Sequence, residues 1–302
     1  MDKLISRIEK IGYPVVAGLD PLLDYIPAHI KQPHFAALGN TLEAAAAAIL
    51  DYNKALIDAL ADVVPAVKPQ CAYYEQYGWQ GVRTLAETIA YAQAKGLYVI
   101  TDGKRNDIGS TMEAYAAAHL GTVDVNGAVH TPFGADALTV NGYLGSDGVR
   151  PALKTGKDIF VLCKTSNPSS GELQDQSLGD KPLYAALGDL CEQWGAGAVG
   201  DWGYSPVGAV VGATYPAQLR ELRVRLPHTF FLVPGYGAQG GTAADIAGAF
   251  DQNGRGAIVN SSRAILTAWK KSDTPEDFAG AARAEALRMG KEIQLTMNNC
   301  TL

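Results

Sequence analysis

Apolar and polar positions along this chain follow a repeating order, a short continuous apolar run and then a longer stretch with apolar residues every three or four positions. Continuous runs bounded by proline, glycine or an acid read as buried strands. Eight can be placed, at 14–21, 63–69, 97–100, 136–141, 158–163, 208–213, 229–234 and 257–260. Helical spacing fills most of the intervals and predicts helices over 41–60, 82–95, 110–119, 183–194, 216–225 and 281–293. In the first of these, Leu42, Ile49, Leu56 and Leu60 fall near one face of an alanine-rich body. Ser110, with Glu113 three residues on, is a capping-box signal, and Gly96 suits the position just past a helix end. The segments 22–40 and 165–180 read as long loops, a length that marks lids or insertions.

Eight strands mostly separated by helices, with no linker to divide them, predict an α/β fold. The expected form is a (β/α)8 TIM barrel, one catalytic domain over 1–302 with enlarged βα loops. An open, doubly wound parallel sheet is the alternative. There is no fixed-period repeat and no low-complexity tract beyond the alanine run at 44–48.

Composition narrows the class. The chain is 47% hydrophobic and 19% charged, as expected of a soluble α/β enzyme. A net charge of −6 with no basic stripe speaks against a nucleic-acid partner. The first residues lack the apolar core of a signal peptide, and the apolar stretch at 44–50 is far short of a membrane span. Cys71, Cys163, Cys191 and Cys300 are scattered without a C-x-x-C, which predicts neither a disulfide framework nor a zinc site. His29, His34, His119, His130 and His228 show no ligand spacing, so no metal is expected. These features predict a cytoplasmic protein.

The candidate chemistry centres on the stretch from Val99 to Thr111. There a predicted strand hands over to a predicted helix, and the junction carries Asp102, Lys104 and Asp107. In parallel α/β folds that junction is the ligand-facing edge of the sheet. Asp102 and Lys104 are two apart, so both side chains leave one face if the strand stays extended. A charge-rich turn of this kind is either a solvated ion pair or a built array. Asp20, Lys68, Ser166, Gln239 and the Asn260-Ser261-Ser262-Arg263 turn also lie at or just past predicted strand ends, which converge on one barrel mouth and favour the array.

Gly235-Tyr236-Gly237-Ala238-Gln239-Gly240 formally matches G-x-G-x-x-G. A dinucleotide site would need an acid at the end of the following strand, where Asn260 stands. A backbone cradle for phosphate, with Arg263 as its guanidinium, competes with a plain glycine-rich turn. Ser205, Ser261 and Ser262 lack a G-x-S-x-G setting, and no P-loop is present.

The D-x-K-x-x-D-I-x-x-T pattern at 102–111 resembles the signature of the orotidine 5′-phosphate decarboxylase family. Leu19-Asp20-Pro21, Val67-Lys68-Pro69, Thr165-Ser166-Asn167-Pro168, the glycine-rich segment from Pro234 to Gly241 and Asn260-Ser261-Ser262-Arg263 extend the likeness over most of the chain. Length and the Asn-Ser-Ser-Arg turn resemble the family's longer bacterial branch.

The resemblance implies decarboxylation of orotidine 5′-monophosphate to UMP without metal or organic cofactor. Lys104 would stabilise the C6 carbanion and then protonate it, and Asp102 would lie against the departing carboxylate. Lys68 and Asp107 would complete an alternating charge array. It also implies a homodimer in which Asp107, Ile108 and Thr111 face the partner's pocket. Asp20 and Lys68 would bind ribose hydroxyls, Ser166 would read the pyrimidine edge, Gln239 would bridge base and phosphate, and Gly237 and Arg263 would meet the phosphate. Two other readings compete. One is a magnesium-dependent sugar-phosphate decarboxylase or aldolase of a related barrel group, which would need an acid where Lys68 ends the second strand. The other is a non-catalytic phosphate-binding regulator.

Overall fold

The computed structural model describes residues 1–237 and 240–300, with only the backbone for 298–300. Its main sheet contains β1 (Val15–Leu19), β2 (Ala66–Pro69), β3 (Tyr98–Arg105), β4 (Ala137–Val140), β5 (Asp158–Lys164), β6 (Val207–Val211), β7 (Phe231–Val233) and β8 (Ala257–Ser261). Each pairs in parallel with its neighbours in sequence, and β8 pairs with β1, so the sheet closes into an eight-stranded barrel. The TIM-barrel expectation holds and the open-sheet alternative does not.

The strands are apolar along their length because both faces are covered. Val16, Tyr98, Ile100, Phe160, Leu232 and Ile258 belong to one buried cluster, and helix α1 (Asp2–Ile11) packs Leu4 and Ile5 against it. Alternate residues, among them Val15, Val67, Val99 and Val259, belong to a second cluster shared with the outer helices. The outer helices are α2 (Ala28–Leu38), α3 (Leu42–Leu60), α4 (Gly78–Ala94), α5 (Gly109–His119), α6 (Leu183–Gly195), α7 (Pro216–Arg225) and α8 (Phe278–Cys300), of which α5 packs Met112 and Ala116 into a third cluster with Leu138 and Val140. The Thr41 hydroxyl accepts the Ala44 amide at 3.1 Å and so caps α3. No helix among the described residues is long and apolar enough to cross a membrane.

Several expectations need correction. The 22–40 segment contains helix α2, which buries none of its residues and carries Pro33 inside it, so neither an apolar stripe nor an uninterrupted amide ladder announces it. The expected loop at 165–180 holds a short helix, Gly171–Gln174, and a hairpin of Ser177–Leu178 with Lys181–Pro182. The Ser110–Glu113 capping box does not form. The helix starts at Gly109, which places Ser110 inside the first turn, and Ile108 stands at the cap with no side-chain bond. A second hairpin, Val123–Val125 with Ala128–His130, turns through Asn126 and Gly127, both at positive φ. That Asn-Gly pair is a strong hairpin signal that strand-and-helix periodicity passes over.

Candidate active site

Strand β3 does not stay extended through its charged end. Thr101 is in register with Leu138, but the next paired residue, Arg105, faces Val140. Asp102, Gly103 and Lys104 therefore bulge opposite the single residue Thr139. Lys104 takes a left-handed conformation at φ 49°, which is costly for a residue with a side chain and marks a position held by its surroundings. Its amide, turned away from the ladder, donates to Thr139 Oγ1 at 2.9 Å, and the same hydroxyl donates to Asp102 Oδ1 at 2.8 Å. Asp102 and Lys104 do meet, but a bulge brings them together rather than a shared strand face.

Asp102 is the hub. Its Oδ1 accepts from Lys104 Nζ at 2.7 Å and its Oδ2 from Lys68 Nζ at 2.7 Å. Lys68, on β2, is only 4% exposed. Burial alone would raise the Asp102 pKa, but the charges of Lys68 and Lys104 and their hydrogen bonds reverse that and hold it far below the usual carboxylate range. Burial would likewise lower the Lys68 pKa, and the charges of Asp102 and Asp20 more than offset it, leaving the ammonium favoured. Asp102 is thus fixed as an anion and Lys68 as a cation.

The three residues line a cavity of about 700 Å³. Asp20, Ser166 and Arg263 line it as well, from beyond the ends of β1, β5 and β8. Asp20 Oδ1 is buried with no hydrogen-bond partner among the described residues. The 260–263 turn packs directly over β1, because a Cβ on Gly18 would stand 1.9 Å from Ser262 Oγ. Glycine at position 18 is what admits that approach.

Asp107, Ile108 and Thr111 do not line this cavity. Asp107 Oδ1 accepts the Ile108 amide at 2.8 Å, Ile108 is 54% exposed, and Thr111 is also exposed. Gly237 lies beside the cavity-lining Tyr236, and its amide donates to the Gly241 carbonyl at 2.8 Å, so it is engaged within the turn. Gln239 lies outside the described residues. No cluster of three or more metal-ligating side chains occurs among the described residues.

A model of the family described as "Orotidine 5'-phosphate decarboxylase / HUMPS family" matches residues 35–277. The chain belongs to that family. An orotidine 5'-phosphate decarboxylase of Rhodopirellula baltica is 43% identical over 301 residues, covering 97% of this chain and 98% of the relative. One from Caldicellulosiruptor saccharolyticus is 40% identical over 273 residues, covering 89% and 90%. The solved OMP decarboxylase of Leishmania donovani superposes with a TM-score of 0.74 at 31% identity, covering 98% of each chain.

Within this decarboxylase-family barrel, the geometry adds residues that the motifs pass over. Thr139 links Asp102 to Lys104, and Tyr25, Tyr73 and Gln174 line the cavity beside Asn167 and Tyr236, which lie inside the quoted motifs but were given no role there. Thr139 had one available signal, a hydroxyl inside an otherwise apolar strand. Tyr25 and Tyr73 had none, since an aromatic side chain without a motif around it is read as packing.

Proposed function

We propose that this chain is a carboxy-lyase that converts orotidine 5′-monophosphate to UMP in pyrimidine biosynthesis, with Lys104 as the acid that meets the reacting carbon. The observation that carries the reading is the Lys68–Asp102–Lys104 array, locked by Thr139 at the mouth of a barrel of this family. Heterolysis of the bond from C6 to the carboxylate leaves the electron pair on C6 and releases CO2. That carbanion lies in the ring plane, with no carbonyl placed to delocalise it. An ammonium positioned beforehand stabilises the developing charge and transfers its proton to C6.

Asp102 stands beside that ammonium as a fixed anion and disfavours the substrate carboxylate more than the transition state. Asp20, whose buried Oδ1 has no partner among the described residues, and Lys68 suit the ribose hydroxyls. In this reading Ser166 reads the base, Arg263 and Gly237 meet the phosphate, and the role of bridging base and phosphate is assigned to Gln239, which lies outside the described residues. Binding energy from the phosphate then draws the site closed around the reacting carbon.

Exposed Ile108 and Thr111, with half-buried Asp107 beside them outside the cavity, fit a homodimer in which the three complete the partner's pocket. The reading includes a single catalytic domain working in the cytoplasm with no cofactor. Turnover of orotidine 5′-monophosphate, followed by loss of its ultraviolet absorbance, is expected at an undiminished rate in EDTA. Absence of turnover would overturn the activity, and loss of turnover in EDTA would point to the magnesium-dependent class.

A further inference from the structure

Lys164, the last residue of β5, is fully buried and does not line the cavity, so the proposed chemistry makes no use of its charge. A buried ammonium is costly unless it is well paired, and this one is ringed by partners. Its Nζ contacts Asp175 Oδ1 at 2.7 Å and Ser170 Oγ at 3.1 Å, and it sits 4.2 Å from the centre of the Tyr215 ring. Asp175 and Ser170 belong to the segment that follows β5, and Tyr215 follows β6. The Ser170 hydroxyl donates to Tyr215 Oη at 3.1 Å, and that hydroxyl donates to the Asn167 carbonyl at 3.1 Å.

The segment tied down in this way forms one wall of the cavity. Thr165, Ser166, Asn167 and Gln174 all line it. Gln174 closes the loop on itself, accepting the Thr165 amide at 2.9 Å and donating to Thr165 Oγ1 at 2.7 Å. The Thr214 hydroxyl donates to the Ser166 carbonyl at 3.2 Å. Register between β5 and β6 shifts at Val211, which pairs with Lys164 although Val210 pairs with Leu162. Cys163 is the extra residue, and this irregularity accompanies Lys164's position outside the cavity.

We propose that Lys164 is a positioning residue: its buried ammonium gathers Asp175, Ser170 and Tyr215 and so holds the 165–174 wall where the base of the nucleotide binds. The assignment of that wall to the base rests on the proposed function. Lys164 touches neither Asp102 nor Lys104, so its removal leaves the reacting groups in place. It acts on binding that substrate and transition state share, which raises KM and spares kcat.

The test uses Lys164→Met, which keeps the length and apolar stem and removes the charge. KM for orotidine 5′-monophosphate is expected to rise about tenfold, with kcat within about threefold of wild type. The Kd for UMP should rise by the same factor as KM. Binding of ribose 5-phosphate, which has no base, should not change. Equal losses for UMP and ribose 5-phosphate, or no loss for either, would overturn the proposal, as would a fall in kcat at constant KM. If Lys164→Met does not fold, Asp175→Asn at the half-exposed end of the pair is read by the same selective loss and the same contrary results. Wild-type protein that neither binds UMP nor turns over the substrate would count against the proposed function instead.

Discussion

Asp102 takes hydrogen bonds from two ammonium groups and a hydroxyl, and the hydroxyl also holds the backbone of one of the lysines. Thr139 is therefore the small residue on which the geometry turns. Thr139→Val keeps the shape but leaves the Lys104 amide without its acceptor and Asp102 with one donor fewer. Losing a hydrogen bond to a charged group costs about 1.5–3 kcal/mol, so kcat/KM is expected to fall roughly tenfold to a hundredfold. Unchanged steady-state kinetics in a folded variant would show that the bulge holds itself. Asp102, Lys104 and Lys68 were legible because polar residues recur at the ends of several apolar strands that a barrel gathers at one mouth, which a single solvated ion pair would not require. Thr139 was obscured because threonine is also a common strand former.

At the scale of elements, local chemistry marked most of the barrel. Helix α7 runs over the predicted 216–225, and Thr41 caps α3 as its side chain allows. Two elements could not be read: α2, which buries no residue and carries an internal proline, and the bulge in β3, which depends on a side chain of β4. Helix α5 ends in His119, a buried ring stacked on Phe133 with Nδ1 unpartnered among the described residues. Burial, helped by the charge of Arg105, lowers its pKa from 6.5 to about 4. Below pH 6.5 the unfolded chain takes up a proton that the folded chain refuses. The stability owed to the neutral ring is therefore complete above that pH and is lost as pH falls toward 4, by at most about 3 kcal/mol. His119→Leu should flatten the dependence of unfolding free energy on pH between 6.5 and 4. An unaltered slope would place the titration elsewhere.

For the whole molecule, the closed sheet gathers strand ends that are distant in sequence into one mouth, which is why the site could be anticipated once eight strands were counted. The expected contribution of Asp107, Ile108 and Thr111 to a neighbour's pocket is a property of an assembly, and strand-and-helix patterning carries no trace of it. Mixing Asp107→Ala with Lys104→Ala subunits should restore up to roughly a quarter of wild-type activity if each site draws on two chains. No recovery in verified heterodimers would confine each site to one chain. The most direct measurement is the decarboxylation rate of Lys104→Ala, taken beside its affinity for UMP. Turnover is expected to fall by roughly a thousandfold or more while UMP still binds. Near-normal turnover in that variant would contradict the assignment of Lys104 as the acid.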